Sequence, residues 1–99
     1  MKTYEETVTE DARLVILRAL AEQTDGRLNE TIIVAALDSF GHRRSREWTR
    51  TQLNKLAELG AVTLTDAGSI SIASLTRAGQ DHVERRSFIA GIKSPSPEE

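Results

Sequence analysis

Residues 41–60 read GHRRSREWTRTQLNKLAELG, and the fold follows from how this stretch is read. Ser45 is a good N-cap, because its hydroxyl accepts a bond from an orphan N–H in the first helical turn. From Arg46 nothing breaks a helix until Gly60, which suits the position just past a helix end. At a hundred degrees per residue, Trp48, Thr49, Gln52, Leu53, Leu56 and Leu59 share one face. Arg50, Thr51, Asn54 and Glu58 fall on the other. The spacing predicts a short capped helix over 45–59 with an apolar back, a polar front and a cationic entry. A helix that reads a DNA major groove needs these features.

Upstream, two more helices are expected. Residues 1–8 are polar and read as a flexible arm. Thr9 can cap a first helix, with Glu10 and Asp11 near its positive end. Leu14, Val15, Ile16, Leu17, Ala19 and Leu20 are apolar nearly all round, which makes this helix central. Gln23 to Gly26 ends it. Asn29 caps a second helix, and Leu28 before it can staple onto Ile33. The run Ile32-Ile33-Val34 could equally open a strand; the cap and the alanines favour a helix reaching about Phe40.

Downstream the period changes from helical to two. Val62, Leu64, Ile70 and Ile72 alternate with Thr63, Thr65, Ser71 and Ala73, and Asp66-Ala67-Gly68-Ser69 lies between them as a turn. This predicts a β-hairpin. Thr76 then caps a fourth helix to about Ser87, weakened at Gly79. Residues 94–99, SPSPEE, read as a disordered tail, leaving 9–93 as one domain. The expected class is α+β, mostly α: a winged helix-turn-helix of three helices, a hairpin wing and a C-terminal helix.

Composition bounds the function. The 99 residues suit one small domain with a modest core. No apolar run is long enough to span a bilayer, and residues 1–12 hold no signal-peptide core, so neither membrane nor export is expected. With no cysteine there are no disulfides or thiolate metal sites, which fits a reducing cytoplasm. The net charge of −2 hides an asymmetry. Residues 1–40 carry four cations and eight anions, whereas residues 41–55 carry five cations and one anion. Binding depends on where the cations sit rather than on the whole-chain charge.

Catalysis finds little support. His42 and His82 lie in different elements, and neither has a paired zinc-ligand spacing. There is no phosphate-cradling glycine loop and no Gly-x-Ser-x-Gly. No catalytic residue, metal or cofactor is expected. His42 reads as a polar contact beside the arginines and His82 as an exposed helix residue. A double-stranded DNA reading, by contrast, uses Arg43, Arg44, Ser45, Arg46, Arg50, Thr51, Asn54 and Lys55. Arg43, Arg44 and Arg46 stand near flanking phosphates, helped by backbone N–H groups at the helix start. Arg50 and Asn54 project one turn apart, suited to guanine and adenine, and Thr51 to a thymine methyl or a phosphate. Trp48 belongs with the core side.

Leu56-Ala57-Glu58-Leu59-Gly60 leading into Val62, and Leu75-Thr76-Arg77-Ala78-Gly79 after the hairpin, resemble stretches of small bacterial winged-helix regulators of the arsenic-repressor and multiple-antibiotic-resistance types. In length and order the chain is similar to small winged-helix proteins of Mu-like bacteriophages. The shared residues are Leu28-Asn29-Glu30, Gly41-His42-Arg43, Leu53 through Gly60, Leu75-Thr76, and Gly91-Ile92-Lys93 before Pro95. The resemblance implies DNA binding, as a regulator of transcription, in a phage or bacterial cytoplasm.

Two expectations remain. Between Val62 and Ala73 there is no cation, and Asp66 sits at the turn, where a wing following the backbone usually carries Lys or Arg. That leaves open a protein-interaction module that does not bind DNA. Phe88, Ile89 and Ile92 form an apolar patch that predicts a homodimer interface; the same residues could instead fold back onto the first helix.

Overall fold

The computed structural model describes residues 1–96. It is an α+β structure of four helices and one small antiparallel sheet. Helix α1 spans Tyr4–Ala21, strand β1 Arg27–Asn29, α2 Glu30–Ser39, α3 Arg46–Glu58, β2 Val62–Ala67, β3 Ile70–Leu75 and α4 Arg77–Val83.

Helix α1 starts ahead of its expected cap at Thr9, and residues 1–8 are no loose arm. Thr3 is the N-cap: its hydroxyl accepts from the Glu6 N–H, and the Glu6 carboxylate accepts from the Thr3 N–H. This capping box satisfies two orphan donors and so extends the helix into polar sequence. Ala12, Leu14, Ile16, Leu17 and Leu20 are buried, which makes α1 the centre of the core. Ile33 and Leu37 of α2, Leu53 and Leu56 of α3, Ala61 just before β2, and Val62 and Ala73 of the sheet pack around it.

Helices α2 and α3 keep their expected caps, Asn29 to the Ile32 N–H and Ser45 to the Trp48 N–H. Both end on a left-handed glycine, Gly41 at φ 88° and Gly60 at φ 81°. In each, the next residue's N–H returns to the helix: His42 to the Leu37 carbonyl at 2.8 Å and Ala61 to the Leu56 carbonyl at 2.9 Å. These Schellman closures turn the chain sharply after each helix, and the Gly41 closure and the Ser45 cap fix the two ends of the 42–45 connection.

The hairpin joins β2 to β3 through Gly68 and Ser69, with Ala67 opposite Ile70. The sheet has a third strand that the sequence reading took for a helix approach. Arg27, Leu28 and Asn29 pair with Ser74, Ala73 and Ile72, giving the order β1-β3-β2. Helix α4 stops at Val83 rather than near Ser87. The chain then runs back over α1: the Lys93 N–H donates to the Glu10 carbonyl, and Arg13 Nη1 donates to the Gly91 carbonyl at 2.7 Å. Ile92 and Pro95 are buried. The start of the expected tail is therefore packed; residues 97–99 of it lie outside the described residues. Among the described residues no helix is long and apolar enough to cross a membrane.

Candidate nucleic-acid interface

The outer face of α3 stands open beside the hairpin. Arg46, Arg50, Thr51, Asn54 and Lys55 are exposed, while Thr49, Gln52, Leu53 and Leu56 are buried on the other side. Between α3 and the hairpin lies a recess of about 430 Å³. Leu53 and Leu64 form its apolar lining, and Arg50, Asn54, Asp66, Ser69 and Ser71 its polar lining.

The cations of the 41–55 segment are not equally available. Arg50 is committed. Its Nε donates to Glu30 Oε2 at 2.7 Å and its Nη2 to Glu30 Oε1 at 3.1 Å and to the Ser69 carbonyl at 2.6 Å. Glu30 is fully buried at the start of α2 and also accepts from the Ser71 N–H at 2.5 Å. These bonds hold the Glu30 carboxyl below its ordinary pKa: Arg50 contributes most, then Ser71, and together they outweigh the burial that pushes it up. In return the carboxylate pushes Arg50 up. Arg50, expected to read guanine, is instead held by Glu30 and the hairpin in this structure. Releasing the half-exposed Arg50 would strand a buried carboxylate at a cost of about 2–3 kcal/mol, which offsets the roughly 1–3 kcal/mol that a base contact returns.

The other cations have looser partners. Arg43 Nε lies 3.1 Å from Asp38, with both side chains exposed. Arg44 Nη2 lies 3.6 Å from Glu5, and its guanidinium sits 4.7 Å from the Trp48 ring centroid. Arg46 donates to the Thr31 hydroxyl at 3.0 Å and lies 3.6 Å from Glu30. Lys55 lies 3.8 Å from Glu58. The pairs of Arg43, Arg44 and Lys55 are solvent-accessible on both sides and worth little in water, so a phosphate can compete for these side chains; Arg46, half-exposed, shares the buried Glu30 carboxylate with Arg50.

Among the remaining expected residues, Ser45 is occupied as the α3 cap. The exposed Thr51 donates its hydroxyl to the Glu47 carbonyl at 3.1 Å. Asn54 stands exposed on the rim of the recess. Trp48 is half-buried against the core.

Sequence reasoning misplaced three groups. His42 turns away from the arginines: its Nε2 lies 2.7 Å from Asp11 on α1, placed there by the Gly41 closure. Burial pushes the Asp11 carboxyl up, but its bonds with His42 and Lys93 outweigh that and leave it lowered. His82 is wholly buried rather than exposed. Its Nδ1 accepts from the Ile89 N–H at 3.0 Å, so Nε2 carries the proton and donates to the Lys93 carbonyl at 2.9 Å. The proposed dimer patch is corrected by the same segment. Ile92 is in the core, Ile89 packs against it, and Phe88 alone is exposed, its ring edge-on to His82 at 5.9 Å. The fold-back alternative accounts for these residues. The residue whose role the sequence missed altogether is Glu30; its signal was a carboxylate in the first turn of an apolar helix.

Two relatives match nearly end to end. The chain is 42% identical over 90 residues to the uncharacterized protein gp26 of Escherichia phage Mu, covering 91% of this chain and 93% of that one. It is 36% identical over 97 residues to an uncharacterized protein of Haemophilus influenzae, covering 97% and 94%. No family model and no solved structure matches the chain.

Proposed function

The chain belongs to the family of the phage Mu protein gp26, and from that premise we propose that it is a winged-helix protein of Mu-like phages that binds double-stranded DNA through α3. One observation carries the reading. The outer face of α3 is solvent-exposed from Arg46 to Lys55 and is braced on one side by the hairpin, through the Arg50–Glu30–Ser71 bonds. The order of elements, with a strand before α2 joined to the hairpin, supports the winged-helix reading.

In this reading Arg43, Arg44, Arg46 and Lys55 meet phosphates. Asn54 faces an adenine edge and the Thr51 methyl a thymine. Arg50 is a positioning residue. It sets the angle between α3 and the hairpin and leaves the bases to its neighbours. A role as a regulator of transcription in the host cytoplasm fits such a reader. An NMR titration of the labelled protein with a random-sequence duplex tests the proposal: amide shifts should concentrate on residues 43–55 and fade as salt rises. Shifts confined to other elements overturn it.

A second reading has its own observation. Each of the five cations in this segment has a carboxylate within 4 Å, and Asp66 faces the recess. On that reading the face meets a protein and not DNA, and the titration shows no shift with duplex.

A further inference from the structure

Among the described residues two titratable side chains are wholly buried, Glu30 and His82. Arg46 and Arg50 balance the charge of Glu30. His82 has no such partner. Its ring is held by two backbone groups of one irregular segment, residues 84–95, which leaves α4 and runs back over α1. Nδ1 accepts from the Ile89 N–H at 3.0 Å, and Nε2 donates to the Lys93 carbonyl at 2.9 Å. The Phe88 ring stands edge-on to it.

This arrangement requires a neutral imidazole. A proton on Nδ1 removes the acceptor that the Ile89 N–H needs and sets two N–H groups against each other. It also places a charge where water does not reach. The carboxylates of the neighbouring elements are already taken. Asp81 and Glu84 are held by Arg86, and Glu10 of α1 by Lys2. Asp11 carries His42 and Lys93. Arg13 and Arg85, which complete the charged neighbours, are cations. His42 is the opposite case: Asp11 lies 2.7 Å from its Nε2, so a proton there strengthens the contact.

The same segment is tied to the rear of α3. Arg13 Nη1 donates to the Gly91 carbonyl at 2.7 Å, while its Nε donates at 2.9 Å to Gln52 on the buried side of α3. Lys93 Nζ lies 3.2 Å from Asp11 and shares that carboxylate with His42, just ahead of α3.

We propose that residues 84–95 form a strap latched by neutral His82, and that protonation of His82 opens it. The open strap lets the ring take its proton into water. It also removes from Arg13 and Asp11 their partners behind α3. The latch rests on the C-terminal packing alone and holds whatever α3 binds.

Hydrogen exchange and imidazole NMR of the full chain between about pH 8 and pH 5, the span in which histidine changes charge, test this. At the upper end the His82 ring should be the Nε2–H tautomer. As the ring takes up its proton, protection of the Ile89 and Lys93 amides should fall at least tenfold, since one pH unit shifts a one-proton equilibrium by about a factor of ten. The Leu17 amide, at the centre of α1, should keep its protection. His82→Gln retains an acceptor and a donor but takes no proton. Whether it holds the strap or leaves it open, its protection should not change with pH. His42→Asn should leave the response in place, and with the ring measurement it decides the matter if the Gln variant does not fold. A His82 ring that stays neutral down to about pH 5, or that charges with the strap amides still protected, overturns the proposal. Equal loss at Leu17, which is global unfolding, also overturns it. So does a response that persists in His82→Gln or vanishes in His42→Asn.

Discussion

The Glu30 carboxylate receives Arg50 Nε at 2.7 Å from one side and the Ser71 N–H at 2.5 Å from the other. One buried side chain thereby joins α2, α3 and β3. Glu30→Gln keeps the volume but removes the charge that two arginines face. Breaking a fully buried pair costs about 3–5 kcal/mol; here Arg50 can turn to water, so a loss of about 2–3 kcal/mol is expected. Urea unfolding measures it. A loss below roughly 1 kcal/mol would show that the joint is incidental.

The same group sets an acid limit. Its folded pKa lies below the ordinary 4.5, so the folded state binds its proton less readily than the unfolded chain. The resulting stabilisation is fully present above the unfolded value and is lost as pH falls through the folded one. Asp11, also lowered, adds to the loss. The urea midpoint of the unmodified protein should fall between about pH 6 and pH 3, and Glu30→Gln should fall less over the same range. Equal falls would assign the acid limit to other carboxylates.

Much of this architecture was legible in the sequence, because local chemistry specified it. The α3 cap, its buried face and its glycine stop lie within a few residues of each other and follow from spacing alone. The hairpin followed from its alternation. What escaped was non-local or set by a signal left unread. Strand β1 is too short to show a period and exists because β3 offers it a partner. Thr3 and Glu6 did spell a capping box, but the polar residues around them argued for a loose arm. Arg50 looked like a reader because its exposure is encoded locally, whereas its partner Glu30 lies 20 positions away. His82 looked exposed because nothing near it announces that the chain returns over α4 and α1.

Gly79 shows a constraint of the same non-local kind. A Cβ there would strike the Ala61 carbonyl and come within 2.7 Å of Leu75 Cδ1. Gly79→Ala improves helix propensity yet should destabilise the protein, by about 1–3 kcal/mol for an overpacked site. Thermal unfolding monitored by circular dichroism should show a lower midpoint. An unchanged or higher midpoint would mean that α4 can move away from the sheet at little cost.

Asp66 lines the recess beside α3, and its carboxylate accepts from the Ser71 hydroxyl at 3.1 Å. Its charge opposes an approaching phosphate. Asp66→Lys should tighten binding to arbitrary duplex DNA severalfold and steepen the salt dependence by about one unit of slope, as one more counterion is released. Weaker binding, or none, would place the hairpin away from the duplex.

Fluorescence anisotropy with a short random-sequence duplex across a salt series measures whether the outer face of α3 engages duplex DNA. With Arg43, Arg44, Arg46 and Lys55 on phosphates, log K should fall linearly with log salt at a slope of about −3 to −4. The pair Arg43→Glu and Lys55→Glu, at exposed positions whose carboxylate partners are themselves exposed, should abolish binding while circular dichroism stays the same. No binding at low salt, or a double variant that binds like the unmodified protein, would contradict the account.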